Sequence, residues 1–270
     1  MIRGRVSPNP SSNSPEIAGP GGPDAPPNPS ADTTAAPSSA RHRAIAWLVH
    51  GFTASGAVFG TFALFAIASG RLDVACLLML AALFIDGIDG SLARAAEVRI
   101  HTPQIDGRRL DDVVDYLNFV VVPIFFLWGG NLVTHPAWLA APLLASAYGF
   151  SREDAKTADD FFLGFPSYWN ILAMYLWLLG IGAVAGTIWV ATLSVAVFVP
   201  MKYLYPSKVE PMRLRVGLGV GAIVWTAALV VCVVAPEAAE PVRLLELSLL
   251  YPAWYMALSV TRGGFDRTNG

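Results

Sequence analysis

The residues that could do chemistry are concentrated between Asp86 and Asp115. The chain reads Asp86-Gly-Ile-Asp89-Gly90-Ser-Leu-Ala93-Arg94, then a spacer of twelve residues, then Gly107-Arg-Arg-Leu-Asp111-Asp112-Val-Val-Asp115. On a helix, Asp86 and Asp89 are three residues apart and share a face; Asp111 and Asp115, four apart, share another. Two helices with those faces turned together place four carboxylates around one point. Four such anions repel one another, so a cation belongs among them. A hard divalent ion with oxygen ligands is the natural candidate. Gly90 and Gly107 let a ligand approach the backbone closely, and Arg94 offers a fork of donors to a phosphate. The competing reading is a structural salt-bridge cluster of the same aspartates with Arg94, Arg108 and Arg109. Asp112 reads as a supporting or surface carboxylate.

The elements that must position these residues are apolar. Strongly hydrophobic sequence flanks the acidic stretch on both sides, where a bilayer makes a carboxylate costly. The 270 residues are 54% hydrophobic and 14% charged, against roughly 25% charged in a soluble domain, and mean hydropathy is +0.52. This is membrane-class composition. A net charge of −2 without a basic patch argues against a nucleic-acid binder. Cys76 and Cys232 both lie in apolar runs, which disfavours a disulfide framework or a zinc site; both read as small buried hydrophobes.

Residues 1–40 are rich in Pro, Ser and Ala and hold almost no large apolar side chains. The prediction is a disordered tail without a signal-peptide core, ahead of a membrane-embedded domain over 41–270. Eight apolar runs predict transmembrane helices at about 44–69, 72–92, 111–128, 136–150, 167–183, 186–203, 216–235 and 243–261, some of them short of the roughly 20 residues a span needs. Gly180, Gly182 and Gly186 suit close helix packing between the fifth and sixth. With the N-terminus in the cytoplasm, sixteen of the eighteen Lys and Arg fall on the cytoplasmic side, and only Arg71 and Arg243 fall outside. An even count returns the C-terminus to the cytoplasm and sets the loop 95–106 there. The expected fold is therefore an all-α integral membrane protein of about eight transmembrane helices.

The acidic stretch resembles the signature of the CDP-alcohol phosphatidyltransferase family. All eight of its positions are filled here, by Asp86, Asp89, Gly90, Ala93, Arg94, Gly107, Asp111 and Asp115. The twelve-residue spacer is longer than most members carry and is similar to the bacterial branch that uses choline as acceptor. So are Asp106–Tyr116, the stretch Phe161-Phe-Leu-Gly-Phe-Pro-Ser-Tyr-Trp-Asn170 and the stretch Phe198-Val-Pro-Met-Lys-Tyr-Leu-Tyr-Pro-Ser207. The resemblance runs from about Trp47 to Ser207. It implies that Asp86, Asp89, Asp111 and Asp115 hold Mn²⁺ or Mg²⁺, and that Asp115 takes the proton of the acceptor alcohol. It implies that Asp89, Gly90, Ala93, Arg94 and Gly107 bind the CDP moiety. The reaction implied is transfer of a phosphatidyl group from CDP-diacylglycerol to choline with release of CMP, at the inner face of a bacterial cytoplasmic membrane. The resemblance also suggests a homodimer.

A trimethylammonium group has no N–H to donate, so aromatic rings and nearby negative charge suit it. Tyr116, Tyr168, Trp169 and Asp159 are the candidates for holding choline; the plainer reading of the 151–166 loop is a solvated segment with an aromatic belt at the interface. Lys202, Lys208, Arg213 and Arg215 serve topology or attract an anionic lipid. His50 reads as a packing histidine. The rival functions are a relative with serine, inositol phosphate or glycerol phosphate as acceptor, phosphocholine transfer from CDP-choline to diacylglycerol, and a membrane cation transporter. The glycine and arginine positions argue against the transporter, because ion conduction needs no nucleotide pocket.

Overall fold

A computed structural model describes residues 39–264, apart from 156, 158 and 160. The tail predicted over 1–40 lies outside the described residues, except for its last two. Ser39 ends it: its Oγ accepts the His42 N–H and starts helix α1, Ala40–Ala68. A turn through Gly70, at φ 73, sends α2, Leu72–Ala95, back along α1. A single helical turn, α3 (Val98–His101), lies in the spacer. Asp106 then caps α4, Gly107–Asp115, by accepting the N–H groups of Arg108 and Arg109 at 3.1 and 3.4 Å.

The helix does not stop at Asp115. It passes through a π-helical turn, Tyr116–Val121, into α5, Val122–Gly129. Pro123 explains the turn: it has no N–H for the carbonyl one turn back, and its ring crowds that carbonyl. The backbone widens locally, and the Val122 N–H reaches five residues back to Leu117 O. A 3₁₀ turn at Pro136–Leu139 leads into α6, Ala140–Ser151.

The purely helical expectation needs a correction here. Strand β1, Phe161–Leu163, pairs antiparallel with β2, Lys202–Leu204, in the register Phe161 to Leu204 and Leu163 to Lys202. Short aromatic-rich segments such as these favour a half-buried pleated surface. Helices α7 (Trp169–Leu178) and α8 (Ala183–Ala196) lie between the strands. After β2 come α9 (Met212–Val234), α10 (Pro236–Ala239), α11 (Leu244–Ser248) and α12 (Leu250–Arg262).

Helix occupies all or part of each of the eight predicted apolar runs, at lengths that differ from the expectation. Ala40–Ala68, Met212–Val234 and the segment Leu244–Arg262 are long and apolar enough to cross a membrane, whereas α7 and α8 are shorter apolar helices. Gly180, at φ 63, closes α7 early. Of the three glycines expected to pack closely, only Gly186 does: a Cβ there would collide with the Leu132 carbonyl, and Gly180 and Gly182 face open space. The main core holds Leu80, Phe126, Leu127, Trp169, Met174 and Leu218 fully buried, and a smaller one gathers Ala46, Val49 and Val98. Leu48, Phe65, Val184, Val224 and Leu250 are exposed; an apolar outer surface of this kind suits a membrane. Cys76 and Cys232 are buried free thiols.

Candidate active site

Helices α1, α2 and α4 build the site. On α2, Asp86 and Asp89 sit three residues apart; on α4, Asp111 and Asp115 sit four apart. One carboxylate oxygen from each of Asp86, Asp89 and Asp111 lies within 4.8 Å of the others. Asp115 faces the same cluster, beside Asp86, with Asp111 and Asp89 also within electrostatic reach. Asp89 is buried, and Asp86, Asp111 and Asp115 are half-buried. The donor set is all carboxylate oxygen, and its mutual repulsion is offset by a cation held between the groups. These residues therefore fit a hard divalent ion.

Helix α1 contributes what the sequence reading did not assign. The Thr53 hydroxyl and the Gly90 backbone N–H stand close beside the Asp89 carboxylate as donors, and Thr53 is itself buried. One turn toward the N-terminus of α1, the His50 side chain bonds Thr102 Oγ1 through Nε2 at 2.9 Å. Thr102 gives its only hydroxyl hydrogen to Val98 O at 2.8 Å, so His50 Nε2–H is the donor in the first bond. Val98 packs on Ala46 and Val49, with Ala93 and Ala96 beside them. The twelve-residue spacer is thus fastened to α1 at Val98 and Thr102, the two ends of the single turn α3. The signal was present in the sequence: His50, Thr53, Gly56 and Gly60 recur at helical spacing along one face of α1.

The small residues leave room beside the carboxylates. A Cβ at Gly90 would meet only Arg94 Nη1, at 3.6 Å, and one at Gly107 would meet only the His50 ring, at 3.3 Å. Ala93 is half-buried, whereas Arg94 is exposed and reaches the Ser91 hydroxyl at 3.1 Å. Arg109 pairs with Asp106, the cap residue, at 3.4 Å.

The four residues expected around choline have different surroundings. Tyr168 lies within electrostatic reach of Asp86. Its hydroxyl meets that of Tyr255 at 3.3 Å, and Tyr255 in turn donates to Leu204 O at 2.9 Å. Trp169 is fully buried in the core, its indole N–H donating to Ser146 Oγ at 2.7 Å. Asp159 stands on the loop before β1 and pairs with Lys202 at 3.0 Å; the Thr157 hydroxyl, and then the Lys202 ammonium, hold its carboxyl below the usual range. Tyr116 follows Asp115 on the π-helical turn, donates to Leu143 O at 3.2 Å and packs edge-to-face on Phe150.

Comparison with known proteins bears on this geometry. The profile of the CDP-alcohol phosphatidyltransferase family matches residues 48–201, which contain all four aspartates. A phosphatidylcholine synthase of Legionella pneumophila is 44% identical over 172 residues, covering 61% of this chain and 66% of that protein, just under two thirds of its length. A phosphatidylcholine synthase of Legionella bozemanae is 36% identical over 214 residues, covering 76% of this chain and 98% of that one. One of Pseudomonas aeruginosa is 34% identical over 226 residues, covering 82% and 93%.

Proposed function

The chain belongs to the CDP-alcohol phosphatidyltransferase family, a family of transferase enzymes, and we propose that its reaction is the one its relatives are named for: the phosphatidyl group of CDP-diacylglycerol passes to choline, and CMP leaves. The observation that carries this reading is the convergence of Asp86, Asp89 and Asp111 within 4.8 Å, with Asp115 beside them.

Asp86, Asp89, Asp111 and Asp115 would hold the divalent cation, Mn²⁺ or Mg²⁺, which when bound neutralises charge on the diphosphate and on the departing CMP. The open backbone at Gly90 and the small side chain of Ala93 leave room for the cytidine nucleotide against α2, and Gly107, where a Cβ would crowd the His50 ring, keeps the start of α4 close to α1. Arg94 directs its guanidinium donors at phosphate oxygen, and the backbone around Asp89 borders the same space. The Asp115 carboxylate takes the proton of the choline hydroxyl. The choline oxygen forms a bond to the phosphatidyl phosphorus, the bond from that phosphorus to the CMP oxygen breaks, and CMP leaves with the electron pair. The step needs no covalent enzyme intermediate, and none of the eight signature positions is a Ser, Cys or His nucleophile.

The reading extends to the membrane. Eight crossings, with both termini and the site at the cytoplasmic face of a bacterial inner membrane, account for the sidedness of the Lys and Arg residues. A homodimer belongs to the same proposal. The test is an acceptor panel: purified protein with CDP-diacylglycerol, Mn²⁺ and radiolabelled choline, serine, inositol phosphate or glycerol phosphate, plus CDP-choline with diacylglycerol. Labelled lipid is expected from choline. Product from another acceptor, and none from choline, overturns the assignment.

A further inference from the structure

A second concavity lies next to the acid cluster, and of the residues expected around choline only Tyr116 borders it. It is an open surface groove of about 320 Å³ between α4 with the following π turn and α6, lined by Asp112, Tyr116 and Phe150, which are half-buried, and by Val113, Ala147 and Ser151, which are exposed. Its size falls at the small end of ligand pockets, roughly 300–1,000 Å³, the scale of a small cation rather than of a nucleotide. Asp112 immediately follows Asp111, and Tyr116 immediately follows Asp115. One turn of one helix therefore turns two carboxylates toward the acid cluster and, about 100° around its axis, a carboxylate and a ring toward this groove.

The chemistry of the lining selects a cation without donors. Asp112 is half-buried, and among the described residues its carboxylate has no ion-pair or hydrogen-bond partner. Tyr116 and Phe150 stand at 90° with centroids 5.5 Å apart, forming an aromatic corner. Both hydroxyl hydrogens at the rim are already committed to α6 carbonyls, that of Tyr116 to Leu143 O and that of Ser151 to Ala147 O at 2.7 Å. Arg152, next in the chain, does not cancel the negative charge of Asp112: Asp154 clamps its guanidinium at 2.7 and 2.6 Å, over the Tyr148 ring. A divalent metal ion would find one carboxylate where it needs about six oxygens. A quaternary ammonium needs only ring surface and a nearby negative charge.

We infer that the α4–α6 groove is a capture site for the trimethylammonium group of choline, with Asp112 supplying the charge and Tyr116 and Phe150 the walls. This rests on the choline reading above and gives the acceptor a specificity site beside the reacting carboxylates. Choline held there lies one face of the helix away from Asp111 and Asp115.

The test compares wild type, Asp112→Asn and Phe150→Leu as full-length detergent-solubilised protein, by CMP release at saturating Mn²⁺ and by titration calorimetry with choline. Tetramethylammonium, which carries the head group and no hydroxyl, is the probe. In wild type it should compete with choline and not with CDP-diacylglycerol. Each variant should raise the KM for choline and the Ki for tetramethylammonium together, by about fivefold or more, with the KM for CDP-diacylglycerol within about twofold of wild type. A variant that loses turnover is read by its choline affinity in the calorimeter, where the same weakening is expected. If wild type uses choline and neither variant moves either constant or the choline affinity, the capture site is wrong and the choline reading stands. If wild type releases CMP with a different acceptor and neither binds nor uses choline, both fall.

Discussion

Replacing Thr53 by Val removes one hydroxyl from the site and little else. The two side chains are close in shape, so the change isolates the Thr53 hydroxyl as a donor toward the Asp89 carboxylate. Thr53 is only 7% exposed and Asp89 only 5%, so water does not readily replace the lost donor. A hydrogen bond to a charged group contributes about 1.5–3 kcal/mol. At 1.4 kcal/mol per tenfold, that corresponds to roughly ten- to a hundredfold in the affinity of the carboxylate set for its ion, the range typical of partners behind a metal ligand. The assay is CMP release against Mn²⁺ concentration. Thr53→Val should shift the half-activating concentration upward by roughly ten- to a hundredfold and recover most of its rate at saturating Mn²⁺. Thr53→Ser, which keeps the hydroxyl, should stay near wild type. An unchanged Mn²⁺ curve for Thr53→Val would refute the claim that α1 orients Asp89.

Other outcomes follow from the same geometry. Asp115→Asn keeps the size of the side chain and loses its basicity; it should retain CDP-diacylglycerol binding and lose turnover by about a hundredfold or more, and near-normal turnover with choline would move the base elsewhere. Gly60→Ala would drive a methyl group into the Asn118 amide oxygen and to within 3.3 Å of Leu117; it should destabilise the protein by about 1–3 kcal/mol in thermal unfolding, whereas Gly51→Ala, with nothing within 4 Å, should be close to neutral. A reporter fused after Thr134 or Ala238 should read periplasmic and one after Lys208 cytoplasmic; finding Thr134 and Lys208 on the same side would break the eight-crossing arrangement.

The acidic site was legible because its information is local. Helical spacing alone puts Asp86 with Asp89 and Asp111 with Asp115, and Asp106 three residues before Arg109 marks a helix start. Two further features of the fold are written in the sequence. Pro123 announces a disturbed turn upstream, and the polar and small residues from His50 to Gly60 announce a face of α1 turned toward other helices. The rest depends on contacts between distant segments. Phe162 and Tyr203 are forty-one positions apart and become strand partners; nothing in either triplet names the other. Trp169 has the composition of an interfacial ring, yet Ser146, on a different helix, satisfies its indole N–H and lets it be fully buried. Tyr168, its neighbour in sequence, is turned toward Asp86 and Tyr255 instead. Adjacent aromatic residues therefore have separate fates, and only tertiary structure assigns them.

The most direct measurement follows both products of one reaction. Purified protein is given CDP-diacylglycerol and labelled choline, and CMP and labelled phosphatidylcholine are quantified in parallel, first with Mn²⁺, then in excess EDTA, then after Mn²⁺ is restored. The acid cluster and the proposed reaction together require equal amounts of the two products, none of either in EDTA, and both again on restoration. Full turnover in excess EDTA, or CMP released without phosphatidylcholine, would contradict the account.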